Sequence, residues 1–296
     1  MKAGIIGLPK TGKTTIFNAL TQGERNTDKY APPSLEANIG VVQVADERID
    51  KLSALYKPKK TISATIEYHD YPGIFYKESE TSETALLSDI KNAEAFILVL
   101  RGFRDEELEG LYPLDTPLEQ FQHFQEEMLL YDLIIAEKRL EKIKLGYKRG
   151  VKTPAVQIEE KALYKIVDCL QINKPIKSIE LDNEEEKAIR GFQFFSAKPM
   201  LILINCNEDN INTWNETLNA FTEKDYQAYT IAGKFEEELS KLESEEAQMF
   251  MEDIGINESI RDRLTHWTYQ LMGYISFFTV GPDEVRAWTI EKGANA

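Results

Sequence analysis

Residues 7 to 14 read Gly-Leu-Pro-Lys-Thr-Gly-Lys-Thr, and no other stretch of the chain restricts its fold so strongly. The eight positions fit G-x-x-x-x-G-K-[ST]. The glycines of this pattern let successive backbone N–H groups converge on phosphate at the positive end of a helix. The surroundings agree: Lys2 to Gly7 is a short apolar strand candidate, and Lys13 to Thr21 has a helical pattern. Strand, glycine turn and helix open a βαβ unit. In such a loop Lys13 supplies a point charge between β- and γ-phosphates, and Thr14 supplies a hydroxyl for Mg²⁺. The alternative is a chance glycine turn.

Further apolar runs at Ile39–Val44, Ser63–His69, Glu94–Leu100, Met200–Asn205 and Ala228–Ala232 read as strands. Gly4-Ile5-Ile6, Ala95 to Leu100 and Met200 to Ile204 are nearly continuous rather than alternating, as in strands covered by helices on both faces. Between two of these strands, Pro117 to about Lys148 has no glycine before Gly146 and no internal proline. Leu118, Phe121, Phe124, Met128, Leu133, Leu140 and Ile143 step mostly by three, four or seven. That spacing predicts a helix of about 30 residues, roughly 45 Å long. Gly146, Gly150 and Pro154 end it, and Val156, Leu163, Ile166, Val167 and Leu170 begin a second stripe. The simplest reading is a helical hairpin projecting from an α/β body; two ordinary packing helices are the alternative. The run Asp182 to Lys187 reads as a solvated helix start.

Composition narrows the function classes. Fifty acidic against 35 basic residues leave a net charge of −15, which argues against a diffuse basic face for nucleic acid and against sequence-specific DNA binding. Any RNA contact must come from a local patch such as Lys142, Lys144, Lys148, Arg149 and Lys152. These are equally readable as solubilising charges near a helix C-terminus. With 42% hydrophobic residues the 296-residue chain can build a real core, and at roughly 150 residues per domain it has room for about two domains. No apolar run approaches the roughly 18 to 20 residues of a membrane span, and the first residues lack a signal-peptide h-region. Two cysteines, Cys169 and Cys206, and three scattered histidines offer neither a disulfide framework nor a zinc site. The expectation is a cytoplasmic protein without a membrane partner.

Two further motifs follow the loop. Asp70-Tyr71-Pro72-Gly73 stands at the end of a strand and fits D-x-x-G, in which the carboxylate holds Mg²⁺ through water and the glycine N–H meets the γ-phosphate. It is also a good turn sequence. After Met200–Ile204 stands Asn205-Cys206-Asn207-Glu208, where guanine-specific GTPases carry N-K-x-D. Glu208 is one methylene longer than the guanine-reading Asp, and Cys206 replaces the base-stacking Lys. The alternative is a plain polar exit from a strand.

Taken together, the chain resembles the Obg-like ATPases of the YchF/OLA1 family. The matching segments are Ile5 to Thr14, Phe17 to Thr21, Asn38 to Val42, Val99-Leu100-Arg101, Leu133 to Leu140 and Ala197-Lys198-Pro199. Asn205 and Glu208 fit the family's N-x-x-E, and Phe277 to Ile290 resembles its entry into a C-terminal TGS domain. The resemblance implies a G-domain, an inserted helical hairpin, ATP preferred over GTP, and association with ribosomes. There are departures. Lys10-Thr11 stand where the family has Asn-Val; that Asn accompanies a potassium ion in related enzymes, which leaves K⁺ doubtful. Ser34 aligns with the switch I threonine, and the segment 74–83 after Gly73 lacks the family's glycines. A histidine often found before the insertion is missing from 106–116.

The expected fold is therefore an α/β P-loop NTPase G-domain with a mostly parallel sheet and an inserted α-helical hairpin. The G-domain should span 1–117 and 197–275, the insertion 118–196, and 276–296 should begin a truncated TGS-like domain. Pro9, Lys10, Thr11, Gly12, Lys13, Thr14, Thr15, Asn205, Glu208, Ala232 and Gly233 make the expected nucleotide-contacting set. Lys13 and Gly73 are the catalytic candidates, and Thr14, Ser34 and Asp70 the Mg²⁺ candidates. The expected activity is slow ATP hydrolysis. A degenerate module that senses ATP without turnover and a conventional GTPase are the alternatives.

Overall fold

The computed structural model describes residues 1–23, 37–73, 87, 89–105, 116–242, 244–253, 256 and 258–294. Ser34 and the segments 74–83 and 106–115 lie outside the described residues.

Nine strands are described: β1 (Lys2–Ile6), β2 (Asn38–Gln43), β3 (Lys60–Ile62), β4 (Thr65–Asp70), β5 (Ala95–Arg101), β6 (Met200–Asn205), β7 (Gln227–Ile231), β8 (Tyr274–Val280) and β9 (Glu284–Glu291). Helices run between them: α1 (Lys13–Thr21), α2 (Glu47–Tyr56), α3 (Pro117–Lys148), α4 (Pro154–Gln171), α5 (Asn183–Ile189), α6 (Asn215–Thr222), α7 (Gly233–Leu239), α8 (Ser244–Asp253) and α9 (Ile260–Leu271).

The main sheet has the order β2-β4-β1-β5-β6-β7, with β2 antiparallel to β4 and every other pair parallel. Its central strands are buried on both faces, which is why they read as unbroken apolar runs. Ile97 and Val99 of β5 and Leu201 and Leu203 of β6 join Ile16, Leu20, Ile260 and Leu264 in one core. Phe96, Leu98, Ile202 and Ile204 face the other way, against Phe121, Phe124 and Phe221. The two sets alternate along each strand, as the pleat requires.

Helix α3 belongs to two cores. Its first turns carry Phe121, Phe124 and Met128 onto the sheet. From Leu129 onward its buried residues, among them Ala136, Leu140 and Ile143, pack on Leu163, Ile166 and Leu170 of α4. At 32 residues it is roughly 48 Å long. Thr116 and Glu119 form a capping box with Pro117 in the first turn, and Thr153 with Pro154 caps α4 in the same style. The Arg139 guanidinium grips Glu159 through two hydrogen bonds, 2.6 and 2.7 Å, joining the two helices. Buried Asp132 accepts from the N–H groups of Phe195 and Ser196 and from the Ser196 hydroxyl, fixing the return from the helical region into β6. Burial pushes its carboxyl up to about 6, against the pull of those hydrogen bonds.

One expectation needs correcting. The charge run at Asp182 does start a helix, with Asp182 as N-cap, but it is not simply solvated. The Glu185 side chain is fully buried and ion-paired to Lys161 and Lys165 at 2.9 and 2.6 Å. Spacing along one helix cannot show that a second helix brings two lysines to the same carboxylate.

The C-terminal hairpin β8–β9 completes a second sheet of order β3-β9-β8. Val285 and Ala287 of β9 enter the same core as α1 and α9, so this sheet is built onto the body.

Candidate nucleotide site

The loop 7–12 leaves the centre of the main sheet at the carboxyl end of β1, where open α/β sheets bind ligands. Gly7 has φ +147°, and a Cβ there would lie 2.5 Å from the Val99 carbonyl oxygen of β5. Gly12 has φ +90° and packs on the Asn205 side chain at the end of β6. Only glycine meets both demands without strain. Lys10 also takes a left-handed conformation, φ +60°. Among the described residues no side chain caps the start of α1, and the first N–H groups of a helix are the donors such a loop offers an anion.

Lys13 is 6% exposed. Its ammonium donates to the carbonyls of Leu8 at 2.7 Å and Gly7 at 3.2 Å. Burial lowers its pKa to about 8, opposed by the attraction of Asp70 and reinforced by Lys10. A desolvated cation held by two neutral carbonyls is poised for an anion.

The Thr14 hydroxyl donates to Asp70 Oδ2 at 2.8 Å, across 56 residues of sequence. Asn38 Nδ2 reaches the same oxygen at 3.2 Å, because the β2–β4 register sets Asn38 opposite Asp70. Among the described residues Asp70 Oδ1 is buried without a hydrogen-bond partner. Burial raises the Asp70 pKa, while Lys13, Thr14 and Asn38 pull it down. A hydroxyl beside a carboxylate with one unpartnered buried oxygen is a hard-oxygen donor set that fits Mg²⁺. Gly73 is brought to the loop as well: a Cβ on it would lie 2.6 Å from the Pro9 backbone nitrogen.

Asn205 links three segments. Its Nδ2 donates to the Thr11 carbonyl at 2.9 Å, and its Oδ1 accepts the Gly233 N–H at 3.0 Å. Gly233 opens α7 directly after Ala232, and Asn18 of α1 donates to Glu237 in the same helix. The Asn205 amide is therefore committed to backbone. Glu208, exposed, opens a short 3₁₀ turn over 208–210. The Cys206 thiol, buried just after β6, donates toward the Ile231 carbonyl. Thr15 is half-buried in the first turn of α1.

The structure thus gathers Pro9 through Thr15, Asp70, Gly73, Asn205, Ala232 and Gly233 around one loop, and sets Glu208 exposed in the turn that follows β6. Asn38 was missed as a site residue; its only sequence signal is its place across from the D-x-x-G strand, which needs the register to be known. Gln120 was missed too. Its side chain accepts from the Arg101 N–H and donates to the Arg101 carbonyl, both at 2.8 Å, locking the base of α3 to the end of β5.

A glycine-turned loop between a central parallel strand and a helix, ending in Lys-Thr and facing a carboxylate on the next strand, defines a P-loop nucleotide-binding domain. The model for the 50S ribosome-binding GTPase family matches residues 2–138. A Bacillus subtilis protein named ribosome-binding ATPase YchF is 33% identical over 304 residues, covering all of this chain and 82% of that protein. A Mycoplasma genitalium protein of the same name is 33% identical over 308 residues, covering 100% and 83%. The solved structure described as the Schizosaccharomyces pombe YchF GTPase superposes with a TM-score of 0.81 at 28% identity, covering 100% of this chain and 82% of that one. The chain belongs to the YchF family. Among the described residues, no helix is long and apolar enough to cross a membrane.

Proposed function

We propose that this protein is a Mg²⁺-dependent P-loop switch that binds ATP, hydrolyses it slowly and associates with ribosomes in the cytoplasm. The observation that carries the reading is the Thr14–Asp70 pair beside the buried Lys13 ammonium. The names of the bacterial relatives support the ATPase and ribosome parts, while the fission-yeast relative is called a GTPase.

In this reading Lys13 exchanges the Gly7 and Leu8 carbonyls for β- and γ-phosphate oxygens, and the N–H groups of loop and helix close around the same phosphates. Thr14 would hold Mg²⁺ directly, Asp70 through water, and Ser34 is the third proposed donor. The metal, when bound, neutralises charge on the β- and γ-oxygens. Gly73, seated on Pro9, directs its N–H toward the γ-phosphate. Asn205, Ala232 and Gly233 shape the base pocket, with Glu208 at its rim. The proposed division is a G-domain of 1–117 and 197–275, a helical arm of 118–196 and a final segment of 276–296.

Turnover by the isolated protein should be slow. The residue after D-x-x-G orients the attacking water in Ras-like enzymes, and here it is Ile74, which has no polar side-chain atom. We expect events on the order of minutes or longer, against a median near ~10 s⁻¹ for enzymes. Single-turnover hydrolysis of Mg²⁺-ATP and Mg²⁺-GTP, with and without ribosomes, tests this. Acceleration by ribosomes supports the switch. Turnover of several per second by the protein alone, abolished in Lys13→Ala, contradicts it.

A further inference from the structure

The far end of the α3–α4 arm departs from the rest of the molecule in charge. Residues 138–152 contain seven basic side chains and one acidic one, in a chain of net charge −15. Arg139 is spent on Glu159. The other six, Lys138, Lys142, Lys144, Lys148, Arg149 and Lys152, are all exposed. Among the described residues no carboxylate lies within ion-pair distance of any of the six, although Lys161 and Lys165 further along α4 are both paired. Lys144 and Lys152 do lie over the rings of Tyr164 and Tyr147, at 5.8 and 5.5 Å, contacts that leave their N–H groups available. Leu145 and Val151, each more than half exposed, sit among the cations.

Favourable placement near a helix C-terminus accounts for charges in the last turn of α3 only, since that field fades within one turn. It does not reach Lys138 and Lys142, nor Lys152, which precedes the N-terminus of α4, where cations are disfavoured. A merely solubilising face on an acidic protein has no need to concentrate its positive charge at one end. Unpaired, exposed and clustered cations match polyphosphate: bringing them to phosphates releases condensed counterions, and no internal ion pair must break first.

We infer that the arm's tip is a contact surface for the phosphate backbone of folded RNA. The inference deepens the ribosome-association reading and rests on it for its setting. The long arm places this contact remote from the nucleotide loop at the sheet's carboxyl edge, so RNA binding and phosphate binding use separate surfaces.

The test replaces Lys144, Lys148, Arg149 and Lys152 together by Gln in the full chain. A control variant replaces exposed Lys57, Lys59, Lys60 and Lys292 by Gln, removing the same total charge away from the tip. Fluorescence anisotropy on a labelled RNA hairpin, and co-sedimentation with purified 50S subunits, are each run across a salt series. The tip variant should bind RNA at least about tenfold more weakly, with a log–log salt slope shallower by about 3. The control should stay near the parent, and ATP binding and thermal midpoint should be unchanged in both. Equal losses in tip and control variants overturn the inference, as does a tip variant that binds like the parent. Tip-dependent binding to subunits without binding to the hairpin also overturns it and indicates a ribosomal protein instead. Tip-dependent hairpin binding with no subunit binding leaves the RNA contact standing and refutes ribosome association.

Discussion

Lys13→Ala should lower ATP affinity by at least about a hundredfold while the protein remains folded. Among the described residues the Lys13 ammonium hydrogen-bonds carbonyls of its own loop, Gly7 and Leu8, so it serves the ligand-free fold little. Charge-assisted hydrogen bonds are worth about 1.5–3 kcal/mol each, and two of them to phosphate account for that factor. The same lysine gives binding a pH dependence. Burial has lowered its pKa to about 8 in the ligand-free pocket, and a triphosphate beside it favours the charged form. Affinity should therefore be full below pH 8 and fall by about tenfold per unit above it. Stability of the ligand-free protein moves the other way. The unfolded chain keeps this proton up to about pH 10.4 while the native state has lost it, so this contribution to stability rises between pH 8 and that value. Calorimetric titrations of parent and Lys13→Ala at pH 7, 8 and 9 check the affinity, and urea denaturation without ligand at pH 8, 9 and 10 checks the stability. Near-parental binding by the variant, or a parental affinity flat across this range, would count against the assigned role.

Asn205→Ala should be the most damaging single change at the junction of the loop, β6 and α7, the proposed base pocket. Its side chain is 4% exposed and satisfies the Thr11 carbonyl and the Gly233 N–H. Truncation leaves both groups buried and unpartnered, at about 2 kcal/mol each, a large fraction of a typical domain's stability. It also frees the 7–12 loop from β6 and α7, so ATP affinity should drop in the fraction that remains folded. Urea denaturation with and without Mg²⁺-ATP measures the two effects separately. A variant with parental stability would show that the three segments hold each other without this amide.

These two residues mark how far the sequence could be read. The loop 7–14 was legible because its chemistry is local: strand, glycines, Lys and Thr stand in one short stretch. Asp70 and Gly73 were legible for the same reason, and the structure does bring both to that loop. The core strands declared themselves through unbroken apolar runs, and α3 through its apolar spacing. What stayed hidden depends on contacts between distant segments. Asn38 meets Asp70 only through the antiparallel register of β2 and β4. Gln120 holds Arg101 only because α3 crosses the end of β5. Asn205 could be picked as a base-pocket residue, yet its commitment to Thr11 and Gly233 follows from packing. The pairing of β3 with β9, as in Lys60 with Glu284, joins segments far apart in the chain and left no local pattern at all.

Whether the Lys13 loop prefers adenine is read from titrations of ATP, GTP, ADP and GDP in the presence of Mg²⁺, with Lys13→Ala as control. With Glu208 in place of the guanine-reading Asp and Cys206 in place of the stacking Lys, ATP should bind about tenfold or more tightly than GTP, the worth of one good polar recognition. Binding of either triphosphate that survives Lys13→Ala, or GTP binding as tight as ATP, would contradict the account.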